Sequence, residues 1–277
     1  MTSRRVRGRS LGWRGVAAAA LPVAAPPAMT LLFHRLSRRY GNTRGYRAGM
    51  IAYWMLCAGL PLAIAGPRRL SRLLDAPRGP LPQPRWLAMA ALVVPPAGAL
   101  ATELVPKLRH TTSRGVATAV AVGVTNAVAE ELLWRALPVA MFPADPVRGW
   151  IASAAGFTLW HLAPLSVRPP PRGRYPILAG AAMIGAGAGW IAWSTRSLRS
   201  VLLPHAVTDA CGLRAVRNIW TRIRPIADVP CPRPVEGSWA PLDAGAATDT
   251  GAGRSNGSGP LTLMRAAGRA DCGRGRR

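Results

Sequence analysis

Residues 115–142 read GVATAVAVGVTNAVAEELLWRALPVAMF, and the composition of this segment decides the fold class. Its only ionisable side chains are those of Glu130, Glu131 and Arg135. About 20 mostly apolar residues are enough to cross the hydrocarbon core of a bilayer as an α-helix. We therefore predict a membrane helix that carries two adjacent carboxylates. Ionisable groups at that depth cost roughly 2.5–3.5 kcal/mol each, so they mark a candidate functional site.

Comparable apolar segments recur along the first three quarters of the chain. A soluble protein would need an implausible number of core helices that are apolar on every side. The sequence therefore predicts an all-α fold, a polytopic transmembrane helix bundle of about six to eight membrane helices. The near-spanning segments are 16–33, 48–66, 86–105, 115–142, 147–165 and 176–194, and a shorter one is 198–213.

The chain has 277 residues and a formal net charge of +25, with a mean hydropathy of +0.14. Its arginines cluster in the connections between apolar segments, which is typical of membrane flanks facing anionic lipid headgroups. A nucleic-acid-binding protein would instead carry one basic face on a folded soluble module. We expect the lipid bilayer, and no nucleic acid, as a partner.

The chain divides by composition into two parts. Residues 1–221 are predicted to form the membrane helical domain, whose chemically distinctive core is 115–213. Residues 222–277 are rich in Pro, Gly and Arg and contain too few apolar residues to bury a core. We predict that this tail is disordered.

Helical spacing separates the roles of the two glutamates. Positions four apart lie on the same face of an α-helix, about 40° apart. Glu131 and Arg135 have this spacing, with the acid N-terminal to the base, which is the favourable orientation for an ion pair. Glu130 is turned away from Arg135 and is left without a cation on its own helix.

Two histidines in apolar sequence supply candidate partners for Glu130. His161 and His205 lie in two later apolar segments, and Asp209 follows His205 by four residues, on the same face. We predict that Glu130, His161, His205 and Asp209 face one interior from three successive helices. Such a cluster can hold a water, or a metal ion that binds water, and a buried carboxylate can act as a general base. Taken singly, each feature is also explained by packing or by a structural ion pair.

Three spacings together resemble the CPBP family of intramembrane proteases, named for CAAX prenyl endopeptidases and bacteriocin-processing enzymes. The family pattern is EExxxR, FxxxH and HxxxN or HxxxD on successive transmembrane helices. Here the three motifs stand as EELLWR at 130–135, FTLWH at 157–161 and HAVTD at 205–209. The resemblance covers about residues 115–213.

The resemblance implies hydrolysis of a peptide bond in or near the bilayer. Glu130 and His161 would activate the water, while His205 and Asp209 would line the oxyanion site or complete the polar cluster. Glu131, Arg135 and Phe157 would be supporting residues. The family is often labelled metalloprotease, but its eukaryotic members look like metal-independent glutamate proteases. No cofactor is therefore assigned, and zinc remains a candidate.

The substrate implied by the resemblance is a peptide or protein in the membrane, such as a CAAX-type protein or a leader peptide. The expected location is the plasma membrane of a bacterium. Two alternatives remain: an inactive membrane scaffold or immunity-type protein of the same fold, and a proton-coupled transporter that uses the buried glutamate as a relay. Against transport, the sequence shows no pair of inverted repeats with matching broken helices.

Overall fold

The computed structural model describes residues 12–75, 79–108, 111–170 and 173–212, and within these ranges it contains helices and no strands. This confirms the predicted all-α fold. The α-helices are α1 (Trp13–Tyr40), α2 (Asn42–Ile64), α3 (Pro67–Asp75), α4 (Arg85–Ala99), α5 (Val105–Leu108), α6 (Ser113–Glu131), α7 (Leu137–Met141), α8 (Ala152–Trp160), α9 (Leu162–Val167), α10 (Tyr175–Thr195) and α11 (Arg199–Ala210). π-Helical turns occupy Leu100–Leu104, Leu132–Ala136 and Val147–Ile151.

Five helical segments in the described ranges are long and apolar enough to cross a membrane, and the protein is an integral membrane protein. The two remaining apolar segments of the sequence form shorter helices: α8 and α9, preceded by a π-helical turn, and α11. The five spanning candidates are Trp13–Tyr40, Asn42–Ile64, Arg85–Leu108, Ser113–Met141 and Tyr175–Thr195.

The surface carries large apolar side chains and the interior carries charged ones, as is typical of a membrane protein. Large apolar residues such as Val23, Met55 and Trp86 lie on the outside, each more than two-thirds exposed. The interior instead holds charged groups, among them Glu130 and Arg135, each only 1% exposed. Because charges are expensive in hydrocarbon, they are placed where other helices can pair them.

Helix α6, which carries Glu130, packs against α11, which carries His205. Helix α1 packs against α2, α8 and α9, while α10 packs against α8 and α4. Helix α11 packs along α6 and also contacts α4. The predicted tail, 222–277, lies outside the described residues, so the predicted division into a membrane domain and a tail stays a prediction.

Candidate active site

A π-helical turn directly follows the paired glutamates. The backbone N–H of Leu137 donates to the carbonyl of Leu132, five residues earlier, instead of four as in an α-helix. Such widened turns inside α-helices are frequent at functional sites. The predicted ion pair forms despite the changed register, with Arg135 Nη1 3.3 Å from Glu131 Oε1.

Arg135 is held on several sides. Its guanidinium carbon lies 4.1 Å from the centre of the Phe157 ring, and Nη2 donates to the carbonyl of Ile184 at 3.3 Å. Cation–π contact, a carbonyl and a carboxylate together replace the water that this buried cation has lost. The Glu131 carboxylate is thereby fixed beside a permanent positive charge.

His205 joins the two glutamates. Its Nδ1 lies 2.7 Å from Glu131 Oε1, and its Nε2 lies 3.3 Å from Glu130 Oε2 and 3.5 Å from Asp209 Oδ2. An ionised carboxylate only accepts hydrogen bonds, so Nδ1 carries a proton and its N–H donates a hydrogen bond to Glu131. Nε2 is therefore directed at the pair of carboxylates formed by Glu130 and Asp209.

His161 lies beside this cluster. Its ring packs edge-on against Phe157, with ring centres 4.9 Å apart, and Phe157 packs in the same way against His205, with ring centres 5.9 Å apart. Its Nδ1 is 2.8 Å from the carbonyl oxygen of Phe157. A carbonyl only accepts, so Nδ1 carries the proton and Nε2 of the neutral ring keeps a lone pair. His161 can therefore accept a proton or bind a metal through Nε2.

Three of the four predicted residues form a group that fits a metal ion. Glu130, His205 and Asp209 each offer a ligand atom, and these atoms lie within 4.8 Å of one another. Two ligands about 2 Å from a tetrahedral zinc ion lie roughly 3.3 Å apart, close to the separations measured from His205 Nε2. Glu131, bonded to Nδ1, occupies the place of the outer carboxylate that orients a ligating histidine. His161 is not part of this group.

Tyr53 of α2 is a member of the site that sequence reasoning missed. Its hydroxyl donates to Glu130 Oε1 at 3.1 Å and accepts from Trp134 Nε1 at 2.7 Å. Tyrosine and tryptophan are common in apolar membrane segments, and nothing in the sequence marks this contact across 77 positions. No sequence signal was available to find it.

Asn126 is a second missed member. Its Nδ2 donates to Asp209 Oδ2 at 2.8 Å, and its Oδ1 accepts from Trp54 Nε1, also at 2.8 Å. A signal for this residue was present, because Asn126 is a polar residue four positions before Glu130 in an apolar helix and shares its face. Both Asn126 and Glu130 therefore point toward α11.

Two openings lie among the described helices, and one of them reaches the cluster. A small cavity between α4, α10 and α11 reaches the site itself and is lined by Ala91, Pro95, Ile184, Ala188, His205 and Thr208, among others. A wider apolar groove between α1 and α8–α9 is lined by Pro26, Leu31, His34, Arg38, Leu159 and Leu162, among others. Leu159 and Leu162 are the sequence neighbours of Trp160 and His161.

Comparison with known protein families gives a match for part of the chain. Residues 112–211 match the family model described as type II CAAX prenyl endopeptidase Rce1-like. The matched range begins at the N-cap of α6 and ends at the C-cap of α11, so it contains all three motifs and none of α1–α5. Neither the curated proteins nor the solved structures gave a match.

Proposed function

We propose that this chain, which its residues 112–211 place in the Rce1-like CAAX protease family, hydrolyses a peptide bond of a membrane-associated substrate with a water activated by Glu130. One observation carries the proposal. The Glu130 carboxylate is buried within a membrane helix and lies beside His205 and Asp209, and its ion-pair partner among the described residues is a histidine, which can gain and lose a proton, instead of an arginine. A structural ion pair accounts for Glu131 and leaves Glu130 for chemistry.

Glu130 is the proposed general base. Its carboxylate takes a proton from water while the water oxygen forms a bond to the substrate carbonyl carbon. The same proton then passes to the amide nitrogen as the C–N bond breaks. The Nε2 lone pair of His161 is directed outward from its Phe157 anchor and is proposed to hold the water. Positioned acid–base groups of this kind contribute about 10²–10⁴-fold in rate.

His205 is the proposed donor to the negative oxygen that forms during attack. Its Nδ1–H is tied to Glu131, so the proposed donor is the Nε2–H of the doubly protonated ring, which faces the carboxylates of Glu130 and Asp209. An ionised Asp209 would repel an oxyanion, and its proposed role is therefore to hold His205 in place. Glu131, Arg135 and Phe157 are proposed to support this arrangement.

Zinc remains a candidate cofactor. Glu130, His205 and Asp209 would hold it, and when bound it would polarise the substrate carbonyl or lower the pKa of a bound water. With zinc bound, Glu130 and Nε2 of His205 would be ligands and would not serve as general base and hydrogen-bond donor. Glu131 would still orient His205 through Nδ1, and Asn126 would still orient Asp209.

The proposed substrate is a peptide or protein held in the membrane, of CAAX type or carrying a leader segment. The apolar groove between α1 and α8–α9 is proposed to receive an apolar substrate segment. The bilayer is the proposed surrounding partner, no nucleic-acid partner is proposed, and the proposed location is a bacterial plasma membrane. Membrane fractionation with the native host tests the last point.

Cleavage assays test the proposal directly. The purified full-length protein in lipid vesicles is incubated with a library of prenylated and unprenylated membrane peptides. Glu130→Gln and His161→Ala are each expected to lower kcat/KM by roughly 10²-fold or more. Glu103→Gln is the matched control, because the Glu103 carboxylate is partly exposed and is already paired with Lys107. Activity that survives in both site variants contradicts the proposal, and a wild-type protein that cleaves no peptide favours the scaffold alternative.

A further inference from the structure

Helix α2 brings two consecutive aromatic side chains, Tyr53 and Trp54, to the edge of the site. Neighbouring residues on a helix point about 100° apart, so the two side chains diverge. They reach Glu130 and Asn126, which are one turn apart on α6. Helix α2 lies outside the matched range 112–211, and its part in the site follows from the structure alone.

Tyr53 holds one oxygen of the Glu130 carboxylate with a hydrogen bond. The indole N–H of Trp134 only donates, so the Tyr53 oxygen accepts there and directs its own proton at Glu130 Oε1. The tyrosine ring is 1% exposed and is stacked on Trp160, with ring centres 3.5 Å apart. Because Oε1 is occupied by this hydrogen bond, Oε2 is the oxygen that faces His205.

Trp54 determines the orientation of Asn126. The indole N–H donates to Oδ1 of the amide, which leaves the amide NH₂ pointing at Asp209. An amide nitrogen cannot accept, so Asp209 Oδ2 is the acceptor in this contact. The same oxygen faces His205 Nε2 at 3.5 Å. The Trp54–Asn126 pair thus fixes the carboxylate on the second side of His205.

We infer that Tyr53 and Trp54 are positioning residues, which hold the carboxylates of Glu130 and Asp209 on either side of His205 Nε2. Both hydrogen-bond chains start on one turn of α2, so this helix sets the spacing of the two carboxylates. The catalytic consequence rests on the proposed function. The hydrogen-bond geometry does not.

Two conservative substitutions test the catalytic consequence in the full-length protein in lipid vesicles. Tyr53→Phe and Trp54→Phe are each expected to lower kcat roughly tenfold or more, because sub-ångström misplacement of a reacting group is costly, while KM changes little. Tyr40→Phe removes a half-exposed hydroxyl at the end of α1, and Trp193→Phe removes an indole that donates to the Phe142 carbonyl. These two controls are expected to keep wild-type kcat. Equal losses in the controls, or a loss confined to KM, overturn the inference.

Indole NMR tests the geometry without any substrate. In protein labelled with ¹⁵N-tryptophan, Tyr53→Phe is expected to shift the Trp134 indole N–H resonance, and Asn126→Ala that of Trp54. Trp134→Phe and Trp54→Phe assign the two signals. Resonances that do not move overturn the inference, whatever the activity. If the wild-type protein cleaves nothing but both resonances move, the proposed function fails while the positioning geometry stands.

Discussion

His205 lies between two adjacent glutamates of one helix, with Nδ1 2.7 Å from Glu131 and Nε2 3.3 Å from Glu130. The two acids differ in what else surrounds them. Glu131 is paired with the guanidinium of Arg135, whereas Glu130 accepts from the hydroxyl of Tyr53. One acid is therefore neutralised by a permanent charge, and the other is held only by groups that carry or release protons.

Removal of Arg135 is expected to destabilise the protein strongly. Arg135→Met leaves the Glu131 charge buried without its cation, and breaking a buried pair from one side costs about 3–5 kcal/mol. Lys107→Met is the matched control, because its partly exposed pair with Glu103 is worth about 0–1 kcal/mol. Unfolding in a detergent or bicelle titration measures both free energies.

One result would contradict the prediction for the Glu131–Arg135 ion pair. If Arg135→Met costs no more than Lys107→Met, the buried ion pair does not anchor Glu131. A second measurement supports the physical reason: adding Glu131→Gln to Arg135→Met is expected to recover part of the lost stability, because the unpaired charge is gone.

Four-residue spacing predicted the contacts that lie within one helix, and the structure shows both Glu131–Arg135 and His205–Asp209. It could not predict the π-helical turn after Glu131, because an apolar pattern does not reveal which carbonyl each N–H binds. Contacts between helices were also beyond it. Tyr53 meets Glu130 only because α2 and α6 pack side by side, and that choice depends on the whole bundle.

Gly123 is expected to be essential for the site although it carries no chemistry. A Cβ at this position would lie 2.4 Å from the backbone nitrogen of Ala210 and 2.8 Å from the carbonyl carbon of Asp209. Gly123→Ala must push α11 away from α6, which separates His205 and Asp209 from Glu130. We expect a stability loss of about 1–3 kcal/mol and a larger proportional loss of kcat/KM. Thermal unfolding and cleavage assays measure the two effects.

Gly180→Ala is the control for this prediction. A Cβ at Gly180 would meet nothing within 4 Å, so the added methyl is expected to leave the fold and the activity unchanged or to raise helix stability slightly. Similar behaviour of the Gly123 and Gly180 variants would show that α6 and α11 do not need this close approach.

Chelation distinguishes activation of the water by Glu130 without a metal from activation by a bound zinc ion. We expect 1,10-phenanthroline to leave kcat/KM unchanged, because Glu130 and His205 have protein partners on both sides that can fix them without an ion. Calorimetric zinc titration of the wild type and of His205→Ala is the accompanying measurement. Loss of activity on chelation that zinc restores, with zinc binding abolished in His205→Ala, would instead assign the metal to this cluster.

A single substitution of Asp209 also distinguishes metal-independent catalysis from ligation of zinc. Asp209→Asn keeps an oxygen that can accept from Asn126 and gains an NH₂ that can donate to an oxyanion, so we expect kcat/KM within about tenfold of wild type. Asp209→Ala removes the acceptor and is expected to lose roughly 10²-fold or more. Asp145→Asn, in a turn and partly exposed, controls for loss of a negative charge elsewhere. If Asp209→Asn is as inactive as Asp209→Ala, the site requires the charge of a carboxylate, as ligation of zinc would.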